Sequence, residues 1–109
     1  MTFDEYQKKS RRTALYPRAG QNYIYPTLGL AGEAGEVANK IKKIERDHDG
    51  VLDENTKVAV EDELGDVLWY AAQLATELGI SFEEVAEKNL EKLAARLERG
   101  KISGAGDQR

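Results

Sequence analysis

The chain has 109 residues, 40% of them hydrophobic, which predicts one small domain with a modest core that an oligomeric partner would complete. It contains no cysteine and only His48 among histidines, so disulfides, thiol nucleophiles and His-rich metal sites are excluded. The net charge of -4 argues against a nucleic-acid-binding protein, and the absence of long apolar segments or a signal-peptide pattern predicts a cytoplasmic protein without membrane contact.

The first two predicted helices are delimited by capping signals and prolines. The first begins with a capping box at Thr2 and ends near Tyr16, because Pro17 disfavours helical geometry in the residue before it. A polar loop over residues 18–23 leads to the second helix, which starts near Tyr25 and ends in the loop 47–50. Its apolar stripe is formed by Leu30, Ala34, Val37, Ile41 and Ile44.

Two further helices complete the predicted domain. The third has Asp53 as its N-cap and continues to Gly79, and the fourth opens with a capping box at Ser81 and continues to Gly100. Their expected buried positions are Leu64, Val67, Leu68, Ala71, Leu74, Ala75 and Leu78 on the third helix, and Val85, Leu90, Leu93 and Leu97 on the fourth. Residues 1–100 are therefore predicted to form a single all-α domain, a four-helix bundle, followed by a Gly-rich polar tail over residues 101–109.

Two pairs of acidic residues are the most informative feature for function. The second helix carries Glu33 and Glu36, and the third carries Glu63 and Asp66, each pair spaced to lie on one helical face. If these faces pack together, four carboxylates meet at the edge of the core, which is unfavourable unless a cation is present. An all-oxygen ligand set suits a hard cation, so magnesium is expected, with manganese as a substitute.

Acid pairs at this spacing also arise by chance in a chain with 20 acidic residues, and Glu84 with Glu87 is an example expected on a solvated face. Glycines inside the acidic motifs favour a functional site. Gly35 and Gly65 lie within predicted helices, where glycine costs roughly 0.5–1 kcal/mol relative to alanine. Such glycines, with Gly29 and Gly32 nearby, indicate close backbone packing or a ligand against the helix.

Residues 29–37 and 63–70 resemble the ExxE…ExxD signature of the MazG family, and the likeness extends to residues 88–93 and 104–107. This resemblance implies an all-α, magnesium-dependent enzyme that cleaves nucleoside triphosphates to monophosphate and pyrophosphate in nucleotide-pool housecleaning. It also implies a four-helix core completed by dimerisation, often doubled to a tetramer. The four acids match the family's metal ligands. Their clustering also suggests the hypothesis that one of them acts as base toward a metal-bound water. Residues 21–25 lack the His and Trp of some relatives, which leaves base preference open.

Further residues are candidates for substrate binding. Asn89 and Lys92 match family positions that face the nucleotide, and Arg96 lies one turn beyond Lys92. Lys40 follows the first acidic pair by one turn, and it would either meet phosphate charge or form a surface ion pair. Tyr70 follows the second acidic pair by one turn, and it would either close the cleft or pack in the core.

Three alternative functions compete with the pyrophosphohydrolase hypothesis. A di-iron carboxylate bundle requires two Glu-x-x-His motifs, and the single His48 lies in neither acidic motif. A phosphoribosyl-ATP pyrophosphohydrolase would share the fold and metal site, and only its substrate would distinguish it. A non-catalytic helical interaction module would account for the helices but not for glycine-containing acidic motifs in both central helices.

Overall fold

A computed structural model describes residues 1–100. These residues form four α-helices and a short 3-10 helix, without strands, which confirms the all-α fold class. The helices are α1 (Phe3–Ser10), the 3-10 helix (Arg11–Thr13), α2 (Ile24–Asp47), α3 (Glu54–Glu77) and α4 (Phe82–Glu98). The predicted polar tail lies outside the described residues.

The predicted helix N-caps are confirmed. The Thr2 hydroxyl accepts a hydrogen bond from the Glu5 backbone N–H, and the Glu5 carboxylate accepts one from the Thr2 N–H. At α3, the Asp53 carboxylate accepts from the Thr56 N–H, and the Thr56 hydroxyl accepts from the Asp53 N–H. The Ser81 hydroxyl accepts from the Glu84 backbone N–H, which confirms Ser81 as the cap of α4, but the reciprocal Glu84 bond of the predicted capping box is not formed. Each cap satisfies a backbone donor that the helix itself leaves unpaired.

The prediction that the first helix continues to Tyr16 is wrong. The α-helix ends at Ser10, and the chain passes through the 3-10 helix into the loop 14–23. The cause is tertiary: the Tyr16 side chain is buried, its hydroxyl donates to Glu77 on α3, and its ring stacks on that of Tyr25. These contacts require the backbone to leave the helix before Tyr16.

The central feature of the fold is the hairpin of α2 and α3. Both helices are 24 residues long and pack along one another, joined by the short loop 48–53. Helix α1 contacts α3 and α4, and α4 contacts α1 and α3. Because the two acidic motifs lie on α2 and α3, this hairpin brings the motifs to a common site.

The hydrophobic core of the described chain is small. Its buried members Ala72, Ala75 and Phe82 are joined by the partly buried Tyr6 and Ala71. The apolar stripes have the predicted periodicity, but several of their members are exposed, among them Ile41, Leu64, Leu68, Leu78, Val85, Leu90 and Leu97. The expectation that these residues are buried is therefore wrong for a single chain, since periodicity identifies an apolar face but not the element that covers it.

Across residues 1–100, no helix is both long and apolar enough to cross a membrane.

Candidate functional site

The α2–α3 hairpin brings three acidic side chains together. One carboxylate oxygen from each of Glu33, Glu63 and Asp66 lies within 4.8 Å of the others. Glu36 is exposed and lies outside this three-residue set, here called the acid group, although its charge acts on Glu33. Convergence of the two motifs was the central expectation from the sequence, and the structure places three of the four acids in that arrangement.

The electrostatics of the acid group favour a cation. The pKa of Glu33 is raised, first by a hydrogen bond with Glu63, then by burial and by the neighbouring acidic charges. The pKa of Asp66 is raised by burial first and then by the charges of Asp62 and Glu63. Each negative charge thus makes the others less favourable, and a hard divalent cation bound by carboxylate oxygens would relieve this repulsion. The donor set fits such an ion.

Lys40 contacts the acid group from α2. Its Nζ lies 3.5 Å from Oε1 of Glu63 on α3, so the ion pair forms between helices rather than with Glu36 one turn earlier. The Lys40 side chain is 36% exposed, whereas that of Glu63 is 15% exposed. One cationic group therefore already stands at the edge of the acid group, and it is accessible to solvent.

An aromatic cluster adjoins the acid group on the side nearer the start of α2. The ring of Tyr70 packs against Gly29, where a Cβ atom would overlap the ring. Trp69 meets Tyr70 edge-on with ring centroids 5.0 Å apart, and Tyr25 lies 6.4 Å from Tyr70. The cluster comprises Tyr16, Tyr25, Trp69 and Tyr70.

Tyr70 connects the aromatic cluster electrostatically with the acid group. The pKa of its phenol is raised, first by burial and then by its interaction with Tyr25. Negative charge on Glu33 and Asp66 raises that pKa further. Core packing, one of the two roles expected for Tyr70, is thus observed, and the phenol also faces the charge of the acid group.

The glycines of the acidic motifs do not all serve one purpose. Close packing, expected from the sequence, is found at Gly29 against Tyr70. At Gly32, Gly35 and Gly65, no other part of the described chain lies within 4 Å of where a Cβ would stand. Beside these three positions there is open space along the helices that carry the acids.

The predicted substrate-binding residues of α4 differ in accessibility. Asn89 and Lys92 are exposed, whereas Arg96 is buried with 3% of its surface exposed. Their contact with a substrate stays a prediction. The burial of Arg96 shows that this residue also takes part in the packing of α4.

A second carboxylate site, not predicted from the sequence, lies at the end of α3. The Glu77 side chain is fully buried and accepts four hydrogen bonds. The donors are Arg11 Nη2 at 2.8 Å, the Tyr16 hydroxyl at 2.5 Å, and the backbone N–H groups of Gly20 and Asn22, both at 2.7 Å. Burial alone would raise the pKa of Glu77, but these donors outweigh it and lower the pKa to about 2.

The Glu77 site anchors the loop 14–23 and the start of α2. The buried Asn22 side chain donates to the Pro17 carbonyl and accepts from the backbone N–H of Tyr25 in the first turn of α2. Nearby, the fully buried Gln73 side chain donates to the Ser10 hydroxyl. The loop and the aromatic ring of Tyr25 are therefore held against α3 by polar contacts made far along the chain.

The fold and the acid group together define a class of protein: an all-helical domain with a cluster of carboxylates between two antiparallel helices, arranged so that it could hold a metal ion. The family model of the MazG nucleotide pyrophosphohydrolase domain matches residues 21–100, and the chain belongs to this family. The matched range contains both acidic motifs, so the resemblance stated from residues 29–37 and 63–70 is confirmed.

One relative is similar in sequence to this protein over the whole chain. The chain is 48% identical to the "Gene 37 protein" of Mycobacterium phage L5 over 114 aligned residues, covering all of both chains. No solved structure shows a significant match to the chain.

Proposed function

We propose that the protein is a magnesium-dependent nucleoside triphosphate pyrophosphohydrolase that converts ribo- or deoxyribonucleoside triphosphates and water to monophosphates and pyrophosphate. The observation that carries this proposal is the convergence of three carboxylates within 4.8 Å between α2 and α3, in a chain of the MazG family. A role in removing unwanted nucleotides from the cellular pool follows from this reaction, and manganese is the expected substitute for magnesium.

The acid group is proposed to bind the metal, with Glu36 as a fourth ligand from α2. A bound magnesium ion would neutralise triphosphate charge and promote ionisation of water. In the reaction, a water oxygen attacks the α-phosphorus, and the bond from that phosphorus to the oxygen bridging to the β-phosphate breaks. The water oxygen stays on the monophosphate, pyrophosphate leaves, and the released proton passes to one of the four carboxylates.

Other residues are proposed to position the nucleotide. Lys40 stands beside Glu63 and would meet phosphate charge, while Tyr70 bounds the nucleoside end of the cleft. Asn89, Lys92 and Arg96 of α4 are proposed to contact phosphate and sugar. Family positions suggest this role for Asn89 and Lys92, and Arg96 lies one turn beyond Lys92.

A homodimer, or a tetramer built from two dimers, is proposed to cover the exposed apolar faces. Leu64 on α3 is 54% exposed, and Leu90 and Leu97 on α4 are 67% and 68% exposed. Large apolar side chains exposed on several helices are consistent with faces that another subunit covers. Analytical ultracentrifugation should show a dimer or larger species for the native chain and dissociation for Leu64→Glu; a native monomer would contradict the proposal.

The reaction is tested by measuring products from a panel of canonical and modified nucleoside triphosphates and phosphoribosyl-ATP, with and without magnesium. We expect metal-dependent formation of monophosphate and pyrophosphate in equal amounts. Cleavage of phosphoribosyl-ATP alone would identify the histidine-synthesis type of enzyme. No cleavage of any substrate by folded, magnesium-loaded protein would favour a helical interaction module.

The site is tested by Glu63→Gln with Glu61→Gln as its matched control. Glu61 is an exposed acid two residues earlier on α3 and is not part of the acid group. Loss of a metal ligand should lower kcat/KM by about 100-fold or more, which corresponds to at least ~2.7 kcal/mol of transition-state stabilisation. Glu61→Gln should behave like the native protein, and equal activity of both variants would remove Glu63 from the site.

A further inference from the structure

A small basic pocket adjoins the acid group on the side opposite the aromatic cluster. It is a cavity of about 170 Å³ between the end of α2 and the start of α3. Its lining residues are Lys40, Lys43, Ile44, His48, Thr56 and Ala59. Three of these six side chains are basic, and none is acidic, in a protein whose net charge is -4.

Two acidic residues close in sequence to the basic pocket have other partners. Asp47 forms an ion pair with Arg46, with 2.7 Å between Oδ1 and Nε. The Asp53 carboxylate accepts the Thr56 backbone N–H at 2.8 Å as the cap of α3, and this bond is the main reason that the pKa of Asp53 is lowered. Both aspartates still interact electrostatically with His48, and Asp47 also with Lys43, but neither aspartate lines the cavity.

Lys40 belongs to both the basic pocket and the acid group. It lines the cavity, and its Nζ lies 3.5 Å from Oε1 of Glu63. On α3, Ala59 of the pocket precedes Glu63 by four residues, a rise of about 6 Å along the helix. The pocket thus begins about one helical turn from the proposed metal ligands, within reach of a triphosphate chain bound at the acid group.

The chemical character of the side chains therefore changes along the hairpin of α2 and α3. Aromatic rings stand at one end, three carboxylates in the middle and three basic side chains at the other end. A nucleoside triphosphate has the same order: an aromatic base with its sugar, the phosphate that is attacked, and the terminal phosphates that leave. Cavities that bind a drug-sized ligand usually measure about 300–1,000 Å³, so the basic pocket suits phosphate groups rather than a nucleoside.

We propose that the basic pocket binds the β- and γ-phosphates of the substrate and holds them as they leave as pyrophosphate. This inference rests on the proposed function and adds an orientation: the nucleoside lies toward Tyr25 and Tyr70, and the terminal phosphates lie toward Lys43 and His48. It also predicts selection for triphosphates, because a diphosphate lacks the group that reaches farthest into the pocket and a monophosphate does not reach it.

The direct test titrates inorganic pyrophosphate into the full-length protein in the absence of divalent metal, by isothermal calorimetry. Lys43→Gln removes a charge from the pocket, and Lys42→Gln is the matched control because Lys42 is the adjacent lysine and does not line the cavity. Basic side chains are also favourable at a helix C-terminus for reasons unrelated to ligands, so this control is essential. We expect Lys43→Gln to weaken pyrophosphate binding about five- to tenfold and Lys42→Gln to leave it unchanged.

Steady-state kinetics provide a second test of the basic pocket. In Lys43→Gln, the KM for the triphosphate and the inhibition constant of pyrophosphate should rise by a similar factor, while inhibition by the nucleoside monophosphate stays as in the native enzyme. Equal effects of Lys42→Gln and Lys43→Gln, or no pyrophosphate binding by the native protein, would overturn the pocket assignment. Native protein that binds pyrophosphate through Lys43 but cleaves no triphosphate would instead refute the proposed reaction, so the two failures are distinguishable.

Discussion

Helix α3 carries two carboxylate sites that lie three turns apart and have opposite electrostatics. Glu77 is fully buried, yet it receives four hydrogen bonds, and its pKa falls to about 2. The acid group is more accessible, yet its members face one another, and the pKa values of Glu33 and Asp66 are raised. The same chemical group is thus stabilised as an anion at one site and disfavoured as an anion at the other.

The difference separates a carboxylate whose charge is satisfied within the fold from carboxylates whose mutual repulsion is typical of a ligand site. Donors within the chain satisfy Glu77, so its charge contributes to the stability of the folded state. The acid group has Lys40 as its ion-pair partner among the described residues, and further positive charge would relieve the repulsion that remains. Like charges that are held together without enough countercharge within the fold are typical of functional sites.

The largest effect on stability is expected from Glu77→Ala. It leaves three donors without this acceptor, namely the part-buried Arg11 guanidinium, the buried Asn22 N–H and the exposed Gly20 N–H, which costs about 3–5 kcal/mol of unfolding free energy. Urea denaturation followed by circular dichroism measures this cost. Protein concentration must be held constant because oligomerisation contributes to apparent stability.

Two further variants keep the Glu77 prediction decisive. Glu77→Gln retains an acceptor oxygen and should lose less than Glu77→Ala, so a folded protein remains for measurement if the alanine variant does not fold. Glu61→Ala, on the exposed face of the same helix, should change stability by less than about 0.5 kcal/mol. If the Glu77 and Glu61 variants were equally stable, the anchoring role of Glu77 would be refuted.

Magnesium should stabilise the protein through the acid group alone. A ligand that binds only the folded state adds about 2.7 kcal/mol of stability at 100 times its Kd, and thermal unfolding with increasing magnesium measures this gain. Glu63→Gln should lose most of the gain, whereas Glu77→Gln, although less stable, should retain it. A magnesium effect that survives in Glu63→Gln would place the cation elsewhere.

The region between the two carboxylate sites is tested at Gly29. A methyl group at this position would overlap the Tyr70 ring, so Gly29→Ala should destabilise the protein by about 1–3 kcal/mol. Gly32→Ala, three residues on in the same helix with open space beside it, should instead stabilise by roughly 0.5–1 kcal/mol within a single chain. In a Tyr70→Ala background, Gly29→Ala should cost little or nothing, and an undiminished cost in that background would contradict the packing contact.

Features set by short-range rules were predictable from the sequence. The capping residues Thr2, Asp53 and Ser81 satisfy donors only three residues away, and the spacing within each acidic pair places both acids on one helical face. Convergence of the pairs followed because two long apolar-faced helices joined by a short loop pack as a hairpin. The acid group was therefore accessible to sequence reasoning before any contact was known.

The Glu77 site was not predictable in the same way. Its donors Arg11, Tyr16 and Asn22 lie 66, 61 and 55 residues away along the chain. No periodicity relates residues at such separations, and Glu77 by itself resembles any polar residue near a helix end. The same long-range contacts end the first helix at Ser10, before the predicted end near Tyr16. The exposure of Leu64 was also not predictable, because an apolar face of a helix does not reveal which element covers it.

The smallest expected effect is an increase in stability on removal of one charge from the acid group. In metal-free protein at pH 7, Glu33→Gln should raise stability by a few tenths of a kcal/mol, because it removes one like charge from the acid group. The pKa of Glu33 is raised in the folded state, so this gain exists above that raised pKa and vanishes as pH falls to the ordinary value of 4.5.

Glu77 should show the reverse pH dependence. Because its folded-state pKa is lowered to about 2, its charge stabilises the fold above pH 4.5, and this contribution is lost as pH falls from 4.5 toward 2. The deficit of Glu77→Gln relative to the native protein should therefore shrink over that window, below the range in which the Glu33→Gln gain disappears. Stability differences measured against pH for both variants would separate the two sites, and parallel curves would show that the carboxylates are electrostatically alike after all.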